Sequence, residues 1–212
     1  MKSRSHGFTL MELMVVLALV AAIMAIGVPS FREFTRNNRM VTMANDFLTG
    51  IQVARTEAIK RQVVTGGVAL CATEHPEAEK PTCLGKDAKN FNGWIVFVDS
   101  NNDCERDPDE AKGEIVLRAG ERIDLANNDK SYRKSVSNNA CISFAATGFV
   151  RADNPKTLAI PVRTVFCDER GIAAQSESIP LSVARGVEVT ATGRARITRD
   201  VDEIKKWGVK CE

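Results

Sequence analysis

The chain has 212 residues, of which 44% are hydrophobic and 26% charged, and its formal net charge is +2. This length suits one domain with an appendage, and the composition excludes both a disordered chain and a membrane protein with many spans. The small net charge excludes a uniformly basic protein that coats nucleic acid, but it is compatible with a local basic patch.

The N-terminus is a short basic segment followed by a long apolar run. Lys2 and Arg4 precede the run, and between Phe8 and Val28 the one charged residue is Glu12. About 20 apolar residues, at about 1.5 Å each, span the hydrocarbon core of a bilayer. Because positive residues before such a span stay on the cytoplasmic side, we predict a transmembrane helix with the rest of the chain outside the cytoplasm.

A secretory signal peptide is the alternative interpretation. It would be cut at Gly27 and would release a secreted, disulfide-braced binding module. Glu12 argues against a plain signal peptide, since placing an ionised carboxylate in an apolar membrane segment costs about 2.5 kcal/mol or more in free energy. In addition, apolar residues recur at helical spacing beyond Pro29, which predicts one long helix instead of a flexible start. These positions are Met40, Met43, Phe47, Ile51, Ala54 and Ala58.

The segment Gly7–Leu13, with the sequence GFTLMEL, resembles the processing motif of type IV pilins and type II secretion pseudopilins. The resemblance implies that a prepilin peptidase cuts after Gly7 and that the new terminus, Phe8, is N-methylated. It also implies that Glu12 pairs with the N-terminal amine of a neighbouring subunit during assembly. Pro29 lies where the family has a helix-kinking proline.

This resemblance divides the chain into three parts. Residues 1–7 would be a cleaved leader, residues 8–35 the transmembrane and filament-core helix, and residues 36–212 a periplasmic or extracellular head. The helix is predicted to continue into the head to about Arg61. The two basic residues of the leader account for the whole net charge of +2, so the processed chain would be formally neutral.

After the helix, short apolar runs alternate with clusters of Gly, Asn, Asp and Pro, which predicts antiparallel strands. The predicted strands cover residues 63–70, 93–99, 114–118, 141–144, 157–160, 163–167, 186–191 and 195–198. One long helix followed by many strands indicates an α+β fold. We therefore expect a pilin-like fold in which the long N-terminal helix packs on an antiparallel β-sheet head.

Three further segments resemble the FimT/GspH branch of the minor pilins: residues 54–61 at the helix end, residues 93–99, and residues 192–196 with the sequence TGRAR. Residues 71–92 and 119–140 look like insertions. The resemblance implies a minor pilin in the tip or initiation complex of a type IV pilus, in contact with other minor and major pilins. It would be held in the inner membrane and then incorporated into the surface pilus. A minor pseudopilin of a type II secretion system is the alternative.

Six cysteines lie in the predicted head, and an extracytoplasmic location favours disulfides. A zinc site is disfavoured, because no two cysteines have the two-residue spacing of structural zinc sites. Sequence does not determine the connectivity. The pairing that we expect joins Cys71 to Cys83, Cys141 to Cys167 and Cys104 to Cys211.

One acidic loop has the ligand spacing of an EF-hand. Asp99, Asn101, Asp103 and Glu110 occupy relative positions 1, 3, 5 and 12. However, Cys104 occupies the position that requires Gly, and the next predicted element is a strand. A polar turn between strands is therefore the favoured interpretation, and calcium the disfavoured one. We predict no other cofactor.

The C-terminal segment contains the element Gly-Arg-x-Arg. Strand alternation around a predicted turn at residues 192–193 places Ala195 and Ile197 inward and Arg194 and Arg196 outward. Residues two apart on a strand are separated by about 6.8 Å, so the two guanidinium groups could each bind a phosphate of a nucleic-acid strand.

This element resembles the one that some FimT-like pilins use to bind DNA for natural transformation, and the resemblance implies double-stranded DNA as a partner of this chain. Arg194 and Arg196 match it, and Arg185 and Arg199 are added because they are near in sequence. The alternative interpretation is a solvated, charged strand face.

The sequence has no recognisable catalytic constellation. His6 lies in the predicted leader, and His75 lies in a polar insertion. We therefore expect a protein that is not an enzyme.

Overall fold

The computed structural model describes residues 7–62, 66–85, 88, 90–109, 113–120, 134–151, 161–176, 179–209 and 211. The chain divides into two compact units, Met1–Arg39 and Met40–Glu212. Helix α1 (Leu10–Arg61) supplies residues to both units, and a short helix α2 (Val201–Lys206) lies near the C-terminus. The predicted α+β fold, with a long N-terminal helix followed by antiparallel sheets, is confirmed.

The strands of the described residues form two main antiparallel sheets. One has the order β4-β3-β1-β6, and the other has the order β10-β9-β7-β5-β2, with β8 paired to β9. The strands are β1 (Gly67–Thr73), β2 (Asn90–Phe91), β3 (Gly93–Asp99), β4 (Val116–Ala119), β5 (Lys134–Ser137), β6 (Cys141–Phe144), β7 (Val162–Cys167), β8 (Ala174–Ser176), β9 (Ile179–Val189) and β10 (Ala195–Asp200).

The first unit contains the apolar part of α1. Every described residue from Gly7 to Phe34 is exposed, although this stretch is rich in Leu, Val, Ile, Met and Phe. By length and composition α1 could cross a membrane. Apolar exposure on this scale is unfavourable in water, and it is typical of a segment that lies in lipid or against other chains.

The core of the second unit lies between the C-terminal part of α1 and the two sheets. Phe47, Ile51 and Ala54 are buried at helical spacing and pack with Trp94 of β3 and Phe166 of β7. The rings of Phe47 and Trp94 meet edge to face, with their centroids 6.1 Å apart. This packing confirms the predicted apolar face of the helix.

Gly50 allows α1 to approach β3 closely. A Cβ atom at Gly50 would lie 2.5 Å from the ring of Trp94, which is nearer than a real Cβ atom comes to another heavy atom. The helix therefore needs a residue without a side chain at the position that faces the largest buried ring.

The outer faces of both sheets are also covered. On the first sheet, Ala69, Ile95 and Phe97 pack with Cys104 and Cys141. On the second sheet, Val165 and Ala184 pack with Ile204 and Val209 from the α2 region. Cover on both faces explains why all seven residues of β3 are buried, as its continuous apolar run predicts.

Three disulfides join the six cysteines. The pair Cys71–Cys83 is the predicted one. The other two predicted pairs are wrong, because Cys104 bonds to Cys141 and Cys167 bonds to Cys211. Cys141 and Cys167 belong to different sheets, since β6 is in the first and β7 is in the second.

The strand predictions miss the short strands β2, β5 and β8, and they differ from the structure in the bounds of several others. Strand β9 begins at Ile179, seven residues before the predicted start at Gly186, because its first part pairs with β8. Strand β5 lies inside the predicted insertion at 119–140 and pairs with β7. The predicted strand at 157–160 falls outside the described residues.

Candidate functional site

The N-terminal motif begins α1 through a capping box. The backbone N–H of Glu12 donates to Thr9 Oγ1 at 3.2 Å, and the backbone N–H of Thr9 donates to Glu12 Oε2 at 3.5 Å. Such reciprocal bonds satisfy two N–H groups that a helix start leaves unpaired. Gly7 and Phe8 precede the helix, and Phe8 is 77% exposed.

The pattern Thr-x-x-Glu before an apolar run is the sequence signal of such a capping box. We predicted a role in assembly alone for Glu12 and missed this signal. In the structure the Glu12 side chain caps the start of α1, and its role in assembly stays a prediction.

The arginine element lies at the turn between β9 and β10. Gly193 donates its N–H to Thr190 O at 2.9 Å, and Thr190 donates to Arg194 O at 3.0 Å. In the ladder that follows, Ala195 faces Val189. Ala195 and Ile197 are part-buried against the main core, whereas Arg194 and Arg196 are exposed. The predicted alternation of side chains is confirmed.

Gly193 allows a second turn to approach the hairpin. Its φ is +74°, and a Cβ atom there would lie 2.3 Å from the carbonyl oxygen of Gly148. The same oxygen accepts a hydrogen bond of 3.0 Å from Nε of Arg55 on α1. The two segments at 54–61 and 192–196, which carry the resemblance, therefore meet in space at Gly148.

Arg196 is held by two carboxylates. Its Nε and Nη2 donate to Glu188 Oε2 at 2.9 and 2.7 Å, and its Nη1 and Nη2 donate to Glu203 of α2. Glu188 also bonds to Nε of Arg163, and Glu203 accepts from the hydroxyl of Thr198 at 2.6 Å. The bonds to Glu203 and then Glu188 raise the pKa of Arg196, and the bond to Arg196 holds the pKa of Glu203 below its ordinary value.

Arg194 has a different environment from Arg196, although the two are only two residues apart. It lies at the end of the turn and is exposed. Among the described residues, no carboxylate lies within ion-pair distance of its guanidinium. Of the two arginines of the element, Arg194 is therefore the one whose charge is not balanced by a described partner.

The prediction that Arg185 binds DNA together with Arg194 and Arg196 is contradicted by its burial. Arg185 is only 5% exposed, and its Nη1 donates to the carbonyl oxygens of Ser182, Val183 and Ala184 at 3.1, 2.9 and 3.0 Å. Burial lowers its pKa to about 10, and the charge of Arg199 contributes. Its place near the middle of the eleven-residue strand β9, which was predicted to begin only at Gly186, explains the error.

Arg199 is part-buried on β10, with its Nε atom covered. The structure therefore brings together Arg194 and Arg196 on the exposed side of the hairpin, and it leaves Arg185 below the surface.

In the acidic loop after β3, the carboxylates accept hydrogen bonds from the loop itself. Asp99 is fully buried, with Oδ1 and Oδ2 accepting from the backbone N–H groups of Asp103 and Cys104 at 3.2 and 3.1 Å. Burial raises the pKa of Asp99, the two hydrogen bonds oppose the rise, and the charges of Asp103 and Glu114 add to it, so that the pKa is about 6.

The Asn101 side chain donates to Asp103 at 2.7 Å within this loop. Glu110, the last residue of the predicted calcium set, lies outside the described residues. In the described part of the chain, no three His, Cys, Asp or Glu residues are grouped in a way that could hold a metal ion. Calcium binding stays a prediction, and a disfavoured one.

Comparison with known proteins gives two family matches. Residues 43–193 match the family described as type II transport protein GspH, and residues 2–28 match the prokaryotic N-terminal methylation motif. The chain is 35% identical over 82 residues to prepilin peptidase-dependent protein D of Escherichia coli (strain K12). That alignment covers 39% of this chain and 45% of the relative, so the chain spans less than half the length of this relative. No solved structure matches.

Proposed function

The chain belongs to the GspH family and is a minor pilin or pseudopilin, and we propose that it acts as a minor pilin in the tip or initiation complex of a type IV pilus. The family match covers residues 43–193, and the methylation motif covers residues 2–28. The observation that carries the proposal is the combination of this motif with an exposed apolar helix and a disulfide-braced β-rich head.

In this proposal the prepilin peptidase cuts after Gly7, Phe8 becomes the N-methylated terminus, and Glu12 binds the terminal amine of a neighbouring subunit. A carboxylate in an apolar span is costly unless it is paired, which supports a cationic partner for Glu12. The helix anchors the chain in the inner membrane before assembly, and the head lies in the periplasm and later on the cell surface. The protein acts through binding and assembly, not through catalysis.

A minor pseudopilin of a type II secretion system is the second candidate, and the description of the matched family favours it. Both systems assemble chains with the same N-terminal motif, so a genetic test separates them. Deletion of the gene should abolish twitching and leave secretion of type II substrates intact. Loss of secretion with normal twitching would instead establish the pseudopilin.

We further propose that Arg194 binds the phosphate backbone of double-stranded DNA during natural transformation. Its exposure and the lack of a described carboxylate partner support this role. Arg196 is less suited to bind a phosphate than Arg194, because its N–H groups already donate to Glu188 and Glu203. A DNA phosphate would have to compete with those two carboxylates for Arg196.

Binding of a labelled DNA duplex to the full chain in neutral detergent tests this proposal. Arg194→Ala should weaken binding severalfold and reduce the slope of log affinity against log salt by about one, because one phosphate contact is lost. Lys80→Ala is the matched control, since it removes one exposed positive charge from another loop. If Arg194→Ala and Arg196→Ala together leave the affinity unchanged, or if the parent chain binds no DNA, the proposal is refuted.

A further inference from the structure

Phe149 is exposed on the turn that packs against the arginine hairpin. The second unit contains six phenylalanines, and five of them, Phe47, Phe91, Phe97, Phe144 and Phe166, are at most 5% exposed. Phe149 is 54% exposed. Burial of a phenylalanine ring stabilises a fold, and Phe149 lacks the burial that the other five rings have.

The position of the ring follows from the pattern of the segment. Val150, the next residue, forms a β-bridge to Phe144 and is 7% exposed. Successive side chains of an extended segment point to opposite faces, so an inward Val150 requires an outward Phe149.

Backbone hydrogen bonds order the turn that carries Phe149. The carbonyl oxygen of Phe149 accepts from Ala145 N at 2.9 Å, and the Gly148 N–H donates to Ala145 O at 2.8 Å. Val150 N donates across to Ala191 O of the hairpin at 3.0 Å. Because the backbone is already fixed, binding at this ring costs little ordering entropy.

The same contact brings the backbones that carry Phe149 and Arg194 together, and both side chains are exposed. The carbonyl of Gly148 meets Gly193, and Phe149 and Arg194 are the next residues along each chain segment. Arg55 supports this contact from α1 through its bond to the Gly148 oxygen. Of the three arginines in residues 145–151 and 190–197, Arg196 is paired with Glu188 and Glu203 and Arg151 donates to Gly66 O, so Arg194 supplies the positive charge that is not balanced by a described carboxylate. We call residues 147–149 and 192–194 the turn-pair surface.

We propose that the turn-pair surface binds single-stranded DNA, with one base stacked on the ring of Phe149 and an adjacent phosphate bound by Arg194. An exposed aromatic ring beside an arginine is the combination that binds unpaired bases, because every base presents a π face and every linkage presents a phosphate. A base inside a duplex is already stacked and cannot use the ring. This inference rests on the proposed binding of DNA phosphate by Arg194. It extends that binding from the duplex, which offers the phosphate alone, to a single strand, which also offers a free base to Phe149.

The experiment measures the anisotropy of a labelled oligothymidine of about 12 nucleotides, and of a duplex of equal length, with the full chain in neutral detergent. The parent should bind the single strand more tightly than the duplex. Phe149→Leu, which keeps apolar area but removes the ring, should bind the single strand about tenfold more weakly and the duplex almost unchanged. Phe149→Trp should retain binding, and its added fluorescence should be quenched by the unlabelled oligonucleotide.

Ile115→Ala is the matched control, because it removes an exposed apolar side chain, 47% exposed, from a loop outside the turn-pair surface. It should bind like the parent. If Arg194→Ala weakens binding but Phe149→Leu does not, the stacking inference is overturned and the proposed DNA binding stands. A neighbouring pilin seated on Phe149 would give this same result. If the parent binds neither form of DNA, both proposals fall.

Discussion

Two arginines of one short element, Arg194 and Arg196, have opposite electrostatic environments. Strand alternation predicts the exposure of both, and the structure agrees. Alternation says nothing about cross-strand neighbours, however. Glu188 is opposite Arg196 in the ladder, and α2 adds Glu203. The sequence could not place these carboxylates, because the register of β9 and the position of α2 depend on tertiary packing.

We expect Arg196→Ala to destabilise the fold by about 1 kcal/mol, because it removes the cation that pairs with both Glu188 and Glu203. The loss stays this small because half of the arginine side chain is exposed to solvent, which weakens both ion pairs. Arg194→Ala should stay within about 0.5 kcal/mol of the parent. Urea unfolding followed by circular dichroism measures both. Equal destabilisation by the two variants would contradict the assigned roles.

Asp99 gives a prediction about pH. Its pKa is raised from 3.8 to about 6 by burial first, with contributions from Asp103 and Glu114. The folded chain therefore holds this proton at a pH at which the unfolded chain has released it. The corresponding stability is fully present below about pH 4 and is lost as the pH rises through about 6.

Asp99→Asn removes this titration. The free energy of unfolding of the parent, relative to that of Asp99→Asn, should increase by about 1 kcal/mol when the pH is lowered from 7 to 5. Thermal or urea unfolding of both chains at the two pH values measures the difference. A difference that does not change with pH would show that burial does not raise this pKa.

At the scale of elements, the spacing of apolar residues predicted those helices and strands that have an apolar pattern of their own. The apolar spacing from Met40 to Ala58 predicted the buried helix face, and the unbroken apolar run predicted the buried strand β3. Strand β5, Lys134–Ser137, is polar and only four residues long, so it has no apolar pattern of its own. It is a strand because β7 pairs with it. The disulfide pairing depends likewise on sheet order, which sequence spacing does not encode.

The contact between the two turns can be tested with a pair of glycines. Gly193 and Gly171 both have positive φ, +74° and +65°, but only Gly193 has backbone within reach of an added Cβ atom. Gly171→Ala should cost about 1 kcal/mol of conformational strain. Gly193→Ala carries the same strain and must also push Gly148 away, so it should cost at least about 2 kcal/mol more than Gly171→Ala.

Differential scanning calorimetry of the two variants in the same detergent measures the difference. Equal melting temperatures would mean that the turns do not touch, and the placement of Phe149 beside Arg194 would lose its basis.

At the scale of the whole molecule, the net charge of +2 belongs entirely to Lys2 and Arg4 of the proposed leader. A processed chain is formally neutral, so the proposed binding of DNA has to come from the local placement of a cation, as at Arg194. The apolar segment at residues 8–34 differs from the arginine element, because its character depends on composition and not on the position of single residues. The sequence therefore predicts it directly, and in the structure all of these residues are exposed.

Processing and assembly as a pilin underlie every other role proposed for this chain. Mass spectrometry of the N-terminal peptide of the protein isolated from the cells that produce it tests them most directly. We expect a chain that begins with N-methylated Phe8. A chain that begins at Val28 would identify a cleaved secretory signal, and an intact Met1 in the assembled protein would show that the motif is not used. Either result would contradict the assignment of this chain as a processed pilin.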